Sequence, residues 1–343
     1  MKKTKILWTA EHCCIRVIKQ ARALLKTGRY EIHGLAKQVS FGTDAFDTFG
    51  FYHNRRQFEN AVRLSDVDLY IHSNEPNWQL NVIRDLKPGA KIILDAHDMD
   101  SLRLDAISVD EHRALTNCNG VLFVSKEVRD YICELHADQL RGKPVEVLEH
   151  YCSEEFFLPE HDGPRTGLVY EGGAQSPPYK GKAFRYRHLY PVFRQLVDQG
   201  HEVHLMFGNP DATRTYANIG AYVYEPQVYD QMMKALQSRR WGMVVFNNED
   251  LSQVHVNLTR TNKEQEYLCC GLPLIVCGAP ATAEYARHFD IGLCFDRIDQ
   301  IRPEVLEEAY PHLKANVETL RPTLTMERHI HRVETLIKQV VTT

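Results

Sequence analysis

A short apolar run followed by a longer segment with apolar residues three or four positions apart recurs along the whole chain. The short runs are rich in Ile, Val and Leu, which is typical of parallel strands buried on both faces. The longer segments have helical periodicity, as in Cys14–Leu25, which Gly28 is placed to end. This alternation predicts β-α units around parallel sheets, the doubly wound α/β class.

Each half of the chain contains six apolar runs that we interpret as strands. In the first half they are Lys5–Thr9, Tyr30–Ala36, Val67–His72, Ala90–Ala96, Gly120–Ser125 and Val145–Glu149. In the second half they are Gly167–Tyr170, His201–Phe207, Ala221–Tyr224, Trp241–Phe246, Pro273–Cys277 and Ile291–Phe295. We therefore expect two Rossmann-like sheets that bind ligands in the loops after their strands.

The alternation of short apolar runs and helical segments is interrupted over residues 151–165, where two prolines and a glycine stand among acidic residues. This interruption predicts an amino-terminal domain at 1–155, a hinge at 156–165 and a carboxyl-terminal domain at 166–324. Residues 325–343 predict a last helix that packs back on the first domain. The alternative is a Rossmann domain that binds a single ligand, followed by an unrelated domain. The same β-α alternation on both sides of the hinge disfavours this alternative.

Charge and cysteine content restrict the partners and the compartment. The formal net charge is −4, and the 41 basic residues form no block of the kind that binds nucleic-acid phosphates or anionic lipid. No apolar run is long enough to span a bilayer, and we expect neither a signal peptide nor a membrane segment. The nine cysteines include no Cys-x-x-Cys unit, so we expect reduced thiols and a cytoplasmic location.

Several common catalytic motifs are missing from the sequence. The turn after the first predicted strand lacks Gly-x-Gly-x-x-Gly, which disfavours a dinucleotide-dependent dehydrogenase. No Gly-x-Ser-x-Gly occurs, so acyl transfer by a serine is unsupported. His201 and His204 would face opposite sides of a strand and make a poor metal site.

The densest motif runs from Thr261 to Pro273 and reads TNKEQEYLCCGLP. It predicts a helix that begins near Asn262, ends at a glycine and leads into a buried strand. Free N–H groups at a helix amino end bind anions, so Asn262 and Lys263 are candidates to hold a phosphate. Glu266 lies about one turn further along, where a carboxylate accepts hydrogen bonds from a diol such as ribose. The combination suits a nucleoside diphosphate.

This motif resembles the donor site of retaining glycosyltransferases of the GT-B architecture, the large group called glycosyltransferase group 1 or family 4-like. Their donor site commonly reads Pro-Asn-Lys-x-x-Glu-Tyr-x-x-x-Gly-x-Pro. The residues in register here are Asn262, Lys263, Glu266, Tyr267, Gly271 and Pro273, with Thr261 in place of the proline. The resemblance implies two Rossmann-like domains facing across a cleft, with Glu266 binding the donor ribose.

A second segment, LVYEGGAQSPPYKG from Leu168, resembles the start of the second half in the same family. Gly172 and Gly173 allow close approach of the backbone to a ligand, and their alternative interpretation is a plain tight turn. Lys180 is a candidate to bind the donor diphosphate through its positively charged ammonium group.

The resemblance implies that Lys180 and Lys263 act catalytically by stabilising the leaving diphosphate. Family members often carry an Arg shortly before the first of these lysines, and none stands there in this chain. Arg185 and Arg260 are candidates to replace it. We expect no metal and no cofactor other than the nucleotide-sugar substrate.

In the first half, His97 follows a strongly apolar strand and resembles the histidine that GT-B enzymes often place at the cleft to contact the transferred sugar. The alternative is a structural histidine at a strand end, with Asp98 capping the next helix. Many relatives have a Gly-Gly pair in the first loop, where this chain has Glu11–Cys14. His12 and Arg16 are candidates for the acceptor side, although a solvent-facing role for His12 fits as well.

The resemblance implies a glycosyltransferase that moves a sugar from a nucleoside-diphosphate sugar to an acceptor, with retention and without an obligatory metal. The acceptor stays open among a glycan, a lipid-linked glycan, a small metabolite, a protein and a modified nucleic acid. Two alternatives remain. One is a nucleotide-sugar epimerase, and the other is a catalytically silent GT-B scaffold that binds partners.

Overall fold

The structure is a computed structural model that describes residues 2–39, 41–73, 76–157, 161, 163–176, 182–247 and 254–342, with the backbone alone at 182–184. By its internal contacts the chain divides into two compact units. The first unit comprises Met1–Ser153 and Met326–Thr343, and the second comprises Glu154–Thr325.

The first unit contains a parallel sheet of seven strands in the order β3-β2-β1-β4-β5-β6-β7. The strands are β1 (Thr4–Cys13), β2 (Tyr30–Val39), β3 (Thr48–Phe51), β4 (Leu69–Ser73), β5 (Ile92–Ala96), β6 (Gly120–Phe123) and β7 (Val145–Val147). All residues of β4, β5 and β6 are buried, as expected for central parallel strands covered by helices on both faces. The sequence missed β3, which lies at the sheet edge and contains no buried residue.

Helices connect these strands. They are α1 (Ile15–Lys26), α2 (Arg55–Leu64), α3 (Trp78–Leu86), α4 (Asp100–Arg103), α5 (Val109–Asn117), α6 (Lys126–Leu135) and α7 (Ala137–Leu140). The predicted first helix is confirmed, with Cys14 at its N-cap and Gly28 in the left-handed region, φ 71°, just after its end. This left-handed conformation ends the helical backbone, and glycine adopts it without the strain that a side chain would cause.

The second unit contains a parallel sheet of six strands in the order β10-β9-β8-β11-β12-β13. The strands are β8 (Thr166–Gly172), β9 (Val203–Phe207), β10 (Tyr222–Tyr224), β11 (Arg239–Val245), β12 (Leu274–Cys277) and β13 (Gly292–Phe295). The helices are α8 (Tyr190–Asp198), α9 (Pro210–Tyr216), α10 (Tyr229–Leu236), α11 (Val254–Leu258), α12 (Asn262–Cys269), α13 (Pro280–Phe289) and α14 (Pro303–Leu320). Every apolar run predicted as a strand overlaps an observed strand, and the α/β class is confirmed.

The chain ends with α15 (Met326–His329) and α16 (His331–Thr342), which belong to the first unit. A Cβ added to Gly120 of β6 would lie 2.8 Å from Cγ2 of Val340, so α16 approaches the sheet backbone closely. Arg332 donates a hydrogen bond of 3.1 Å to the carbonyl of Val147. These contacts fix α16 against β6 and β7.

A buried ion pair connects three elements of the first unit. Arg16, in the first turn of α1, donates from Nη2 to Oδ1 of Asp95 on β5 at 2.8 Å, and both side chains are 0% exposed. Nη1 of Arg16 donates to the carbonyl of Leu148 at 2.8 Å, just after β7. Gln20 donates to Oδ2 of Asp95 at 3.0 Å. The pair thus holds α1 to the ends of β5 and β7.

We predict that Asp95→Ala lowers the free energy of unfolding by about 3–5 kcal/mol, because it leaves the Arg16 guanidinium buried without its counter-charge. The control is Asp85→Ala, which removes an ion pair with Arg113 whose two side chains are each 49% exposed. An exposed pair of this kind contributes at most about 1 kcal/mol. Urea unfolding measures both values, and equal losses would contradict the structural role of Asp95.

Candidate functional site

A glycine turn ends the first strand of the second unit. Gly172 has φ 117°, a conformation that residues with side chains rarely adopt. A Cβ on Gly172 would lie 3.3 Å from Nζ of Lys263, and a Cβ on Gly173 would lie 3.0 Å from Nη1 of Arg187. Two cationic side chains therefore lie against this turn, one at each glycine.

The amino end of α12 lies next to the same turn. Oγ1 of Thr261 accepts a hydrogen bond from the Glu264 N–H at 3.3 Å, so the residue that replaces the family's proline caps the helix. Lys263 stands in the first turn, with Nζ 4.6 Å from the ring centroid of Tyr170. The helix amino end and the Lys263 ammonium both favour an anion here.

Tyr267 fixes α12 relative to the glycine turn. Its ring packs on β11 at Gly242, where an added Cβ would lie 2.2 Å from a ring carbon. Its hydroxyl accepts a hydrogen bond of 2.8 Å from the N–H of Glu171, directly before Gly172. Burial raises the pKa of Tyr267 well above its usual value, so this phenol stays neutral. The tyrosine of the motif is thus a positioning residue.

Charges of both signs surround Lys263. Burial lowers the pKa of Lys263, the nearby Arg187 cation lowers it further, and the carboxylates of Glu171 and Glu266 oppose both effects. Like charges brought together in a partly buried place repel each other. Lys263 and Arg187 are the two cations of this cluster, and a phosphate group at the glycine turn would lie beside both of them.

Glu266 lies one helical turn beyond Lys263 and is only 2% exposed. Its Oε1 accepts a hydrogen bond of 2.8 Å from the hydroxyl of Tyr229 on α10. The Tyr229 ring packs edge-on against Phe156, with the centroids 4.8 Å apart. Asn262 is the first residue of α12 and is half-buried. The carboxylate is therefore held in a fixed orientation close to the helix amino end.

The structure brings together five of the predicted donor-site residues, namely Gly172, Gly173, Asn262, Lys263 and Glu266. Lys180 lies outside the described residues. Sequence reasoning does not consider Arg187, because it names Arg185 and Arg260 as the candidates to replace the missing arginine. Its signal was an arginine in the loop that follows the glycine turn, seven residues beyond Lys180.

The two arginines considered as substitutes do not lie at the turn in the way predicted. Arg260 forms a buried ion pair with Glu264, and its guanidinium carbon lies 3.5 Å from the ring centroid of Tyr285. Its charge is already neutralised inside the unit. The side chain of Arg185 is exposed, whereas Arg187 contacts Gly173. Arg187, which was not among the predicted candidates, is the arginine whose guanidinium lies against Gly173.

In the first unit, His97 directly follows β5, and its Nδ1 lies 3.2 Å from the carbonyl oxygen of Asp95. It also forms a hydrogen bond with the side chain of Cys14. His12 is exposed on β1. Arg16 is fully buried and held by Asp95, so the structure assigns it a structural role in place of the predicted acceptor contact.

Neither a metal site nor a membrane helix is found in the described part of the chain. No group of three or more His, Cys, Asp or Glu side chains there is arranged to hold a metal ion. His201 bonds the carbonyl of Ile301 at 2.8 Å, and His204 bonds Glu202 at 2.7 Å. No described helix is both long and apolar enough to cross a bilayer.

Comparison with known proteins extends these observations. The sequence model named "Glucosyltransferase 3-like, C-terminal domain" matches residues 193–335, which is less than half of the chain. No curated protein sequence matches the chain.

Solved structures match over nearly the whole length. A sucrose-phosphate synthase from Thermosynechococcus elongatus superposes with a TM-score of 0.69 at 12% identity, covering 99% of this chain and 100% of that one. The Anabaena protein HepE, solved with UDP, gives 0.66 at 12% identity, covering 98% and 100%. A protein described as a putative UDP-N-acetylglucosamine 2-epimerase from Listeria monocytogenes gives 0.63 at 10% identity, covering 98% and 96%. The chain therefore has the GT-B fold.

We predict that Gly172→Ala lowers the free energy of unfolding by about 1–3 kcal/mol, because alanine is strained at φ 117°. The added methyl group would also press on the end of Lys263. The matched control is Gly208→Ala in the same unit, where an added Cβ meets no atom within 4 Å. Denaturant unfolding of both variants checks this, and equal stabilities would contradict the strained turn.

Proposed function

We propose that this protein is a glycosyltransferase that moves a sugar from a nucleoside-diphosphate sugar to an acceptor with retention. The observation that carries the proposal is the convergence of Lys263 and Arg187 on the Gly172–Gly173 turn, with Glu266 one turn along α12. The match of residues 193–335 to a glucosyltransferase domain model supports it. The UDP in the structure of HepE, which has the same fold, supports a nucleotide ligand.

The leaving diphosphate gains negative charge as the bond to the sugar breaks. Groups that already point at the place where this charge develops stabilise the transition state without reorganising. Lys263, Arg187 and the amino end of α12 are such groups, and the glycines allow the diphosphate to approach the backbone. We propose that these side-chain cations make the transfer independent of a metal, and that Lys180 adds a further charge.

The nucleoside is proposed to bind beside Glu266, whose carboxylate accepts hydrogen bonds from the ribose hydroxyls. Tyr229 supports this role because its hydroxyl already orients the carboxylate. Asn262 is proposed to bind the donor at the helix start. His97 remains the predicted contact to the transferred sugar, and His12 remains a candidate for the acceptor side.

An epimerase is the second candidate, since the Listeria structure described as a putative epimerase has the same fold. Incubation with UDP- and GDP-sugars distinguishes the two activities. A transferase releases free nucleoside diphosphate and forms a glycoside of unchanged anomeric configuration, which NMR reports. An epimerase converts the sugar nucleotide to its epimer. A scaffold without activity gives neither product.

We expect Glu266→Ala to weaken binding of the nucleotide sugar by about 1.5–3 kcal/mol, the range for hydrogen bonds to a charged group. Calorimetric titration with UDP- and GDP-sugars measures the change. The matched control is Glu284→Ala, an exposed glutamate of the same unit, which should bind as the unaltered protein does. Unchanged affinity in a folded Glu266 variant would remove this residue from the site.

Lys263→Met and Arg187→Met should each slow transfer by about 100-fold, the usual cost of losing one group that stabilises developing charge. Each should also weaken binding of UDP while leaving the weaker binding of uridine unchanged, because uridine has no diphosphate. Arg185→Met is the control, since that side chain is exposed.

Steady-state rates and titration with both ligands measure these effects. If uridine and UDP lose affinity equally, these cations do not act on the diphosphate. Full activity in both variants would place the diphosphate elsewhere.

A further inference from the structure

Tyr170 lies beside the glycine turn and is not among the predicted site residues. It stands on β8, two residues before Gly172, and is 0% exposed. Its ring packs in the core of the second unit, with its centroid 5.1 Å from that of Phe193 and 6.3 Å from that of Phe207. A side chain fixed by such packing can hold a neighbouring group in one place.

The Tyr170 hydroxyl contacts both parts of the candidate site. It donates a hydrogen bond of 2.8 Å to the carbonyl oxygen of Gly173. It also accepts one of 3.4 Å from Nζ of Lys263, which lies 4.6 Å from the centroid of the same ring. A phenol has one O–H to donate and lone pairs with which to accept, so both bonds form at once. One hydroxyl thus connects the glycine turn to the cation of α12.

Burial keeps this hydroxyl protonated. It raises the pKa of Tyr170 above its usual value, while the nearby Arg187 cation opposes this effect and the Glu171 carboxylate adds to it. The O–H therefore remains a donor to Gly173 at neutral pH. The ammonium beside it polarises the O–H group and strengthens that hydrogen bond.

The turn continues into a segment that is bonded to the second cation. The N–H of Gln175, two residues beyond Gly173, donates a hydrogen bond of 2.9 Å to the carbonyl of Arg187. Glycine backbone rotates more freely than that of any other residue, so the Gly173 carbonyl is a point at which this segment needs a tether. Without its bond to Tyr170, that carbonyl would be free to rotate towards a bound anion, and its oxygen would repel the negative charge.

We propose that Tyr170 is a positioning residue of the diphosphate site. Its hydroxyl holds the Gly173 carbonyl and takes one of the three N–H donors of Lys263, which leaves two for the phosphate oxygens. The ligand then meets a turn and an ammonium that are already in place, so less ordering is needed on binding. This inference rests on the proposed function, because it requires that a nucleoside diphosphate binds at the turn.

Tyr170→Phe tests the hydroxyl alone, because phenylalanine keeps the ring and its packing. Calorimetric titration should show UDP binding weakened by about 3- to 10-fold, the equivalent of one lost hydrogen bond, with the binding of uridine unchanged. The matched control is Tyr190→Phe, since the Tyr190 ring packs on the same core beside Tyr216, and it should bind both ligands as the unaltered protein does. Equal losses for UDP and uridine, or no loss for UDP, would overturn the proposal.

A double-mutant cycle tests the contact with Lys263. In the Lys263→Met background the Tyr170 hydroxyl has no ammonium to hold, so adding Tyr170→Phe should weaken UDP binding by a smaller factor than it does alone. If the two losses multiply, the pairing of Tyr170 with Lys263 is wrong.

Amide hydrogen exchange separates this inference from the proposed function, because it needs no ligand. In Tyr170→Phe, exchange over residues 171–175 should become about 3- to 10-fold faster, since the turn loses one tether, and Tyr190→Phe should leave it unchanged. Unchanged exchange in Tyr170→Phe would refute the positioning role even if UDP binds. If the unaltered protein binds neither UDP nor GDP, the proposed donor site fails, and the exchange rates alone decide whether Tyr170 holds the turn.

Discussion

Parallel pairing of non-consecutive strands is the constraint on which the candidate site depends. In a parallel sheet all carboxyl ends lie at one edge, so residues far apart in sequence meet there. In the second unit this brings the end of β8 next to the helix that precedes β12.

Buried ion pairs hold elements together in both units. Arg16 and Asp95 neutralise each other and satisfy their hydrogen bonds inside the first unit, so the pair holds elements together. Arg260 and Glu264, a residue of α12, do the same in the second unit. Lys263 and Arg187 lie at the Gly172–Gly173 turn, and the carboxylates of Glu171 and Glu266 are close to Lys263. The two ion pairs are structural, and the cations at the glycine turn are the groups on which the proposed diphosphate site depends.

Tyr267 belongs to the donor-site motif, but its contacts position the helix and do not reach a substrate group. Its ring requires a glycine at position 242, and its hydroxyl holds the backbone directly before Gly172. These two contacts hold the helix that carries Lys263 and Glu266 in a fixed position relative to the glycine turn. A phenol kept neutral by burial suits this task, because a charged group there would disturb the balance around Lys263.

The sequence by itself determined the α/β class and the central strands, because strands buried on both faces must be continuously apolar and therefore leave a clear pattern. It did not indicate β3, whose edge position imposes no such pattern. The spacing of Asn262, Lys263 and Glu266 also followed from sequence, since one helix sets their separation. Only the tertiary structure decided that Arg187 and not Arg260 reaches the turn, and that Arg16 is a buried partner of Asp95. Those outcomes depend on which side chains the folding of distant segments brings within a few ångströms, and a linear pattern does not encode such distances.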